Sequence, residues 1–212
     1  MLTDALRSIY TTNLDIKKSE RVLVFTDRMQ EGEMLSVQER CRRERLRDIA
    51  LLTAEIGKTF SKNIIYHEYA ATGSHGAEPP EELWELSFGD KTVTELRKAG
   101  FLEPLLNKNT VDGETRKIES IVREHRKSSV NAIIALSNFS TSHTRFRDLL
   151  TRVCRARYAS MPLFDMSMLE NAMDVDWKAL AKRTNRITRA VNRYEAIEVR
   201  TPNGTRLKLA KS

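Results

Sequence analysis

A run of small polar residues near the middle of the chain has the side-chain types that hold anions. The run consists of Ser140, Thr141, Ser142, His143, Thr144 and Arg145. Hydroxyl groups and the free amides of a helix start donate hydrogen bonds to an anion, and His143 beside Arg145 adds positive charge. The hydroxyls of Ser140, Thr141 or Ser142 can equally cap a helix by accepting bonds from its first-turn amides. Both interpretations stay open, although helix initiation alone would explain the cluster.

The segments on either side of this run predict where it lies in the fold. An apolar, uncharged stretch over residues 130–136 precedes it, as expected for a strand buried on both faces. After it, Phe146, Leu149, Leu150, Val153 and Cys154 recur at helical spacing, which places them on one helix face. Strand, polar turn and helix form the repeating unit of an α/β domain, whose ligands gather at the carboxyl ends of the strands.

Other residues that could take part in catalysis or metal binding give weaker signals. The sequence contains no HExxH, CxxC, Walker or GxGxxG motif. His67 and Glu68 are adjacent on a predicted strand and so point to opposite faces, while His75, in a glycine-rich loop, could approach His67 or Asp27. Asp27 directly follows the first predicted strand and could cap the next turn or face a ligand, and capping is favoured. We therefore expect no catalytic, cofactor-binding or metal-binding residue in this chain.

A helix that Asp176 is predicted to cap, running to about Tyr194, carries two opposed stripes. One is apolar and contains Leu180, Thr184, Ile187 and Val191. The other is basic and contains Lys182, Arg186, Arg189 and Arg193. The basic stripe follows the apolar one by two residues, a rotation of about 200°. Such a stripe is typical of the solvated side of a docked helix, and the alternative is a surface for anions or nucleic acid.

The predicted elements describe an α/β fold with a hairpin at its carboxyl end. Four strands are expected near residues 21–26, 62–69, 130–136 and 157–161, in a mostly parallel, flavodoxin- or Rossmann-like sheet flanked by helices. This domain would span residues 1–194. The mixed charges of the sequence CRRERLRD, within a helix over 33–57, predict a solvated face.

The final residues, 195–212, predict a β-hairpin. A two-residue Asn-Gly turn would pair Val199 with Lys208 and mix apolar with charged side chains on one face. A three-residue loop, Pro202-Asn203-Gly204, instead pairs Val199 with Leu207 and Ile197 with Leu209. We predict the second register, with Gly204 left-handed in a bulge.

Composition places the chain among soluble globular proteins. It has 212 residues, 40% hydrophobic and 31% charged, with no apolar run long enough to span a membrane and no secretory signal, so we expect no membrane partner and a cytoplasmic location. Cys41 and Cys154 are predicted to be buried thiols, with a disulfide left open. The net charge of +7 is uneven, since residues 115–212 carry 20 basic and 9 acidic groups.

Several phrases, taken together, resemble a known family. They are LDIKKSERVLVFTD (14–27), SNFSTSHTRFRDLLTRVCRARYASMP (137–162), NAMDVDW (171–177) and VRTPNGTRLKL (199–209). In matching order they resemble the N-terminal part of the thermophilic metallo-aminopeptidases, the aminopeptidase T and leucyl aminopeptidase-like group. The hairpin phrase is the most specific of them.

The resemblance implies a non-catalytic N-terminal α/β domain of a hydrolase. Members are roughly twice as long, and their two-metal site lies in the C-terminal half, so the hairpin would open a catalytic domain that this sequence lacks. The parent enzyme would use zinc, cobalt or manganese to remove N-terminal amino acids from peptides, and members form dimers. Expected partners are therefore the catalytic domain, a second copy and, through the parent, a peptide, but not nucleic acid. Two alternatives remain: a stand-alone anion- or nucleic-acid-binding module, or the equivalent domain of a related iron-dependent dioxygenase.

Overall fold

A computed structural model gives the architecture of residues 2–170, 173 and 175–210. Part of the phrase at 171–177, residues 171, 172 and 174, lies outside the described residues. Contacts divide the chain into two compact units, residues 1–173 and 174–212. The sequence-based boundary lies after residue 194, whereas this division lies ahead of the last helix, of which no described residue is buried.

The first unit alternates helices and strands. Its elements are α1 (Leu2–Ser8), β1 (Arg21–Arg28), α2 (Val37–Gly57), β2 (Asn63–Ala70), α3 (Glu81–Phe88), α4 (Asp90–Lys98), α5 (Leu102–Leu106), α6 (Thr115–His125), β3 (Ala132–Ala135), α7 (Arg145–Asp148), β4 (Arg157–Ser160) and α8 (Met166–Glu170). Single π-helical turns follow α1, at Ile9–Asn13, and α7, at Leu149–Val153.

The four strands form one parallel sheet in the order β2-β1-β3-β4. The predicted α/β class and the four-stranded parallel sheet are confirmed. This order is that of flavodoxin-like sheets, in which the chain leaves β1 in one direction and β3 in the other. The carboxyl ends of β1 and β3 therefore flank the point where a ligand crevice forms in such folds.

The sheet is buried on both faces because its central strands alternate between two cores. Leu23 and Phe25 of β1 belong to a core that also contains Trp84, Phe88 and Phe146. Val22 and Val24 belong to the opposite core, which contains Tyr10 and Leu46. A strand covered by helices on both sides has a nearly continuous apolar sequence. For this reason the segments RVLVF (21–25) and NAIIAL (131–136) predict buried strands.

Phe146 connects the start of α7 to the first of these cores. Its ring is fully buried and meets the rings of Trp84, Phe88 and Phe25 edge-on, at centroid distances of 5.6, 5.8 and 6.5 Å. Edge-to-face pairs of this kind add to the free energy gained by burying the rings. The start of α7 is therefore anchored to this core by its buried phenylalanine.

The second unit contains α9 (Trp177–Val191), β5 (Ala196–Arg200) and β6 (Arg206–Ala210). Asp176 caps α9 as predicted, since its carboxylate accepts from the amides of Lys178 and Ala179. The hairpin register is also confirmed, with Val199 opposite Leu207 and Ile197 opposite Leu209.

Gly204, at the end of the three-residue loop, has the left-handed φ of 92° that the predicted bulge requires.

No helix among the described residues is long and apolar enough to cross a membrane. Cys41 and Cys154 are free and only partly buried, so neither is the buried thiol that the sequence predicted.

Gly89, between α3 and α4, packs closely against Ser128, which lies just after α6. Its φ of 85° and ψ of 150° lie in a region that only glycine adopts easily, and an added Cβ would come within 2.9 Å of the Ser128 Cβ. We expect Gly89→Ala to lower the free energy of unfolding by about 1–3 kcal/mol more than Gly100→Ala. Gly100 also has a positive φ but open space around it. Urea denaturation of both variants measures the difference, and equal losses would contradict this packing.

Candidate functional site

The turn after β3 (residues 137–144, the β3 turn) lies at the carboxyl edge of the sheet, next to the end of β1. Asp27, nearly at the end of β1, turns its carboxylate into it. One oxygen accepts the amide of Asn138 at 2.5 Å, and the other accepts the amide of Phe139 at 2.9 Å. Asp27 and Asn138 are both buried. Asp27 therefore neither caps the turn that follows β1 nor lies open to a ligand, because it fastens the neighbouring strand's turn.

Two arginines of α2 contact the start of the β3 turn. The side chain of Arg42 donates to the Asn138 carboxamide oxygen and to Glu39. Arg43, only 8% exposed, pairs with Glu33 and Glu39 and places its guanidinium 5.4 Å from the centre of the Phe139 ring. The sequence interpretation of CRRERLRD as a solvated face is therefore wrong for these two residues, because they point at the turn.

A second carboxylate, Glu78, holds the other end of the turn. Its two oxygens accept the amides of Arg145 at 2.5 Å and Phe146 at 3.0 Å, which are the first amides of α7. A helix start presents free N–H groups and a positive dipole end, so a carboxylate there is stabilising. Glu78 is buried and occupies the place at these two amides that an external anion would take.

The cap of α7 differs from the predicted one. Thr144 accepts the amide of Arg147 at 3.1 Å, whereas Ser140, Thr141 and Ser142 do not cap this helix. The prediction was wrong because the helix begins only at Arg145. The three residues make other bonds, in which the Ser140 hydroxyl accepts the Ser142 amide, Thr141 meets the Tyr158 hydroxyl at 2.7 Å, and Ser142 meets the Ser160 hydroxyl at 3.0 Å.

His75 is the histidine that the structure brings to this turn. Its Nδ1 accepts the Ser140 amide at 3.0 Å, and its ring lies edge-on to Phe139. His67 lies instead beside Glu82, with 3.3 Å between its Nε2 and the Glu82 Oε1. His143 is exposed on the turn, and the Arg145 side chain is half-exposed next to it, so the side chains predicted to hold an anion remain on the surface.

Comparison with known protein families, curated proteins and solved structures gives no match. The amides of residues 138 and 139 in the β3 turn, and of residues 145 and 146 in α7, already donate to internal carboxylates, so these four amides are not available to an anion. In the part of the chain that the structure describes, no three His, Cys, Asp or Glu side chains are grouped as metal ligands.

Sequence reasoning missed Glu78 and the two arginines. Glu78 lies just before Pro79-Pro80, ahead of the first residue of α3. An isolated carboxylate outside the helix, in a loop after β2, was the available signal. The partner amides lie 67 and 68 residues away along the chain, and nothing local in the sequence indicates them.

Removing either carboxylate should destabilise the first unit. Asp27→Ala and Glu78→Ala each leave two amides without an acceptor, and each such buried group costs about 1–3 kcal/mol. Asp27→Asn keeps one oxygen and should lose less than Asp27→Ala. Urea denaturation measures the losses, with Glu124→Ala, on the exposed face of α6, as the control. Losses no larger than that of the control would contradict the assigned role.

The two carboxyls should also make stability depend on pH. Burial raises the pKa of Asp27 above its ordinary 3.8 and the pKa of Glu78 above its ordinary 4.5, against the opposing effect of the amide bonds. Below the ordinary values, folded and unfolded chains are both protonated at these sites. As pH rises through the raised values, the unfolded chain binds fewer protons than the folded one, so the free energy of unfolding falls.

We expect this fall between about pH 4 and the raised pKa values, and we expect the Asp27→Asn/Glu78→Gln variant to lack it. Urea denaturation at a series of pH values compares the two proteins. An identical pH profile for both would show that neither carboxyl is perturbed.

Proposed function

We propose that this chain is the non-catalytic α/β domain of a metal-dependent aminopeptidase of the aminopeptidase T-like family. In the parent enzyme, a hydrolase that removes N-terminal amino acids from peptides, this domain would frame the cleft and support assembly into a dimer. Zinc, cobalt or manganese would bind in the catalytic domain and not in this chain. The proposed location is the cytoplasm.

The hairpin is the observation that carries the proposal. The phrase VRTPNGTRLKL, on which the resemblance is most specific, forms the end of β5, the loop and most of β6, with the apolar register already described. Val199, Leu207 and Leu209 are 41%, 47% and 49% exposed. An isolated two-stranded hairpin is only marginally stable, and an apolar face on it is stabilised by packing on further structure. A catalytic domain of the same family is the partner that we propose for this face.

The β3 turn supports a framing role. Its two buried carboxylates, Asp27 and Glu78, are each engaged by two backbone amides, so they fix the backbone rather than offer a reactive group. A turn held in this way keeps His143 and Arg145 at a fixed place on the carboxyl edge of the sheet. Such an edge can line a cleft whose reactive groups come from another domain.

The first test is activity of the chain alone. We expect no turnover of amino-acyl chromogenic substrates in the presence of zinc, cobalt or manganese. Clear turnover that follows the protein through purification would contradict the non-catalytic assignment.

The second test is binding of the catalytic half of an aminopeptidase of this family, expressed separately. We expect association in calorimetry, weakened at least about tenfold by Leu207→Asp, since burying a leucine side chain contributes about 1.5–3 kcal/mol. Lys208→Asp is the matched control, because residue 208 is the next residue of β6 and points to the opposite face. An absence of binding, or equal effects of the two variants, would contradict the proposed pairing.

A further inference from the structure

A row of basic side chains runs along one face of α9. It consists of Lys178, Lys182, Arg186, Arg189 and, just beyond the helix, Arg193. We propose that this row, the α9 basic row, binds the phosphate backbone of a nucleic acid duplex without reading its sequence. The inference goes beyond the proposed function and does not depend on it.

The row is geometrically regular. At 3.6 residues per turn, its four helical members fall within about 80° of the helix circumference, and from Lys178 to Arg189 the helix rises about 17 Å. All five cations line one shallow depression on the surface. The short side chains between them in that depression are Ala181, Asn185 and Ala190. Sequence reasoning had named four of the five, and the structure adds Lys178.

The charge of the row is not neutralised within the described structure. Residues 177–193 contain six basic residues, the row and Arg183, and no acidic one. None of the five cations of the row forms an ion pair with a described residue, in contrast to Arg200 and Arg206 of the hairpin, which both pair with Glu198. Every residue of the row is exposed. An uncompensated row of cations attracts a partner that presents a series of negative charges.

The arrangement of the two faces argues against a membrane as that partner. Leu180, Ile187 and Val191 lie roughly 165° around the helix from the basic row. A helix that lies in a membrane interface buries its apolar face while its basic residues flank that face and reach the headgroups. In α9 the apolar face would insert with the basic row directed away from the membrane. The row therefore fits a partner that approaches from its own side.

The composition of the basic face favours a phosphate backbone over an acidic protein surface. Protein interfaces concentrate aromatic and large apolar residues at their centre, and the depression along the row is lined by neither. Binding to the backbone of a nucleic acid needs only regularly placed cations. The residues that line the depression include no aromatic side chain, since Trp177 and Tyr194 lie outside it, so the row itself offers no ring to stack on an unpaired base, which favours a duplex over a single strand.

Fluorescence anisotropy of the full chain with a labelled, random-sequence 20-base-pair DNA duplex tests the proposal. If all five cations contact phosphates, the logarithm of the binding constant should fall with the logarithm of salt concentration with a slope of about −4.5. Arg186→Glu/Arg189→Glu should weaken binding at low salt at least tenfold and reduce the slope by about 2, one for each lost contact.

Arg183→Glu/Thr184→Glu is the matched control. Residues 183 and 184 are on the same helix but outside the row, and this variant also gains two acidic side chains. Circular dichroism of every variant verifies that α9 remains helical. We expect the control to bind the duplex within about threefold of the original chain.

Three outcomes would overturn the proposal. One is the absence of salt-dependent binding to the duplex at low salt. Another is equal weakening by the row variant and the control, which would mean that acidic residues weaken binding wherever they stand on α9. The third is tighter binding to the single strand, or to phosphatidylserine vesicles, than to the duplex.

Discussion

The carboxyl edge of the sheet depends on a single arrangement, in which a buried carboxylate accepts two consecutive backbone amides. It occurs twice, at Asp27 and at Glu78, and it fixes both ends of one turn. A backbone amide that is buried without an acceptor is expensive, and a turn between a buried strand and a helix has several such amides. Here the carboxylates of distant segments supply the hydrogen-bond acceptors that neighbouring residues do not.

This arrangement leaves neither Asp27 nor Glu78 free to act on a ligand at the carboxyl ends of β1 and β3. In doubly wound sheets, the point where the strand order reverses leaves space for a ligand, and amides at the next helix start favour anions. Here Asp27 and Glu78 occupy those amides, and Arg42 and Arg43 surround the same turn. At this edge His143 is exposed and Arg145 is half-exposed, so both side chains can contribute to a neighbouring surface.

Local patterns were sufficient for most of the fold and insufficient for the turn. The buried strands were recognisable as apolar runs, Asp176 as a cap and the hairpin register from its alternation, because each of these signals lies within a few residues. The contacts of Asp27 span 111 and 112 residues, and they follow from strand order, which no single segment encodes. The cap of α7 was misplaced because four hydroxyl residues precede the helix and only tertiary contacts select Thr144. The buried position of Arg43 was missed for the same reason, since its mixed-charge surroundings resemble an exposed helix face.

The alternation of side chains along the hairpin has a consequence at the level of the gene. The distance of a β6 residue from the loop, counted along the chain, decides which face its side chain takes. Loss of one codon among positions 202–204 would leave Val199 opposite Leu207, because both strands would keep all their residues. Loss of the codon for Arg206 would instead bring Lys208 opposite Val199 and turn Leu207 to the other face. The apolar face would then be interrupted by charge although none of its own codons had changed, so an in-frame deletion in the strand would be more damaging than one in the loop.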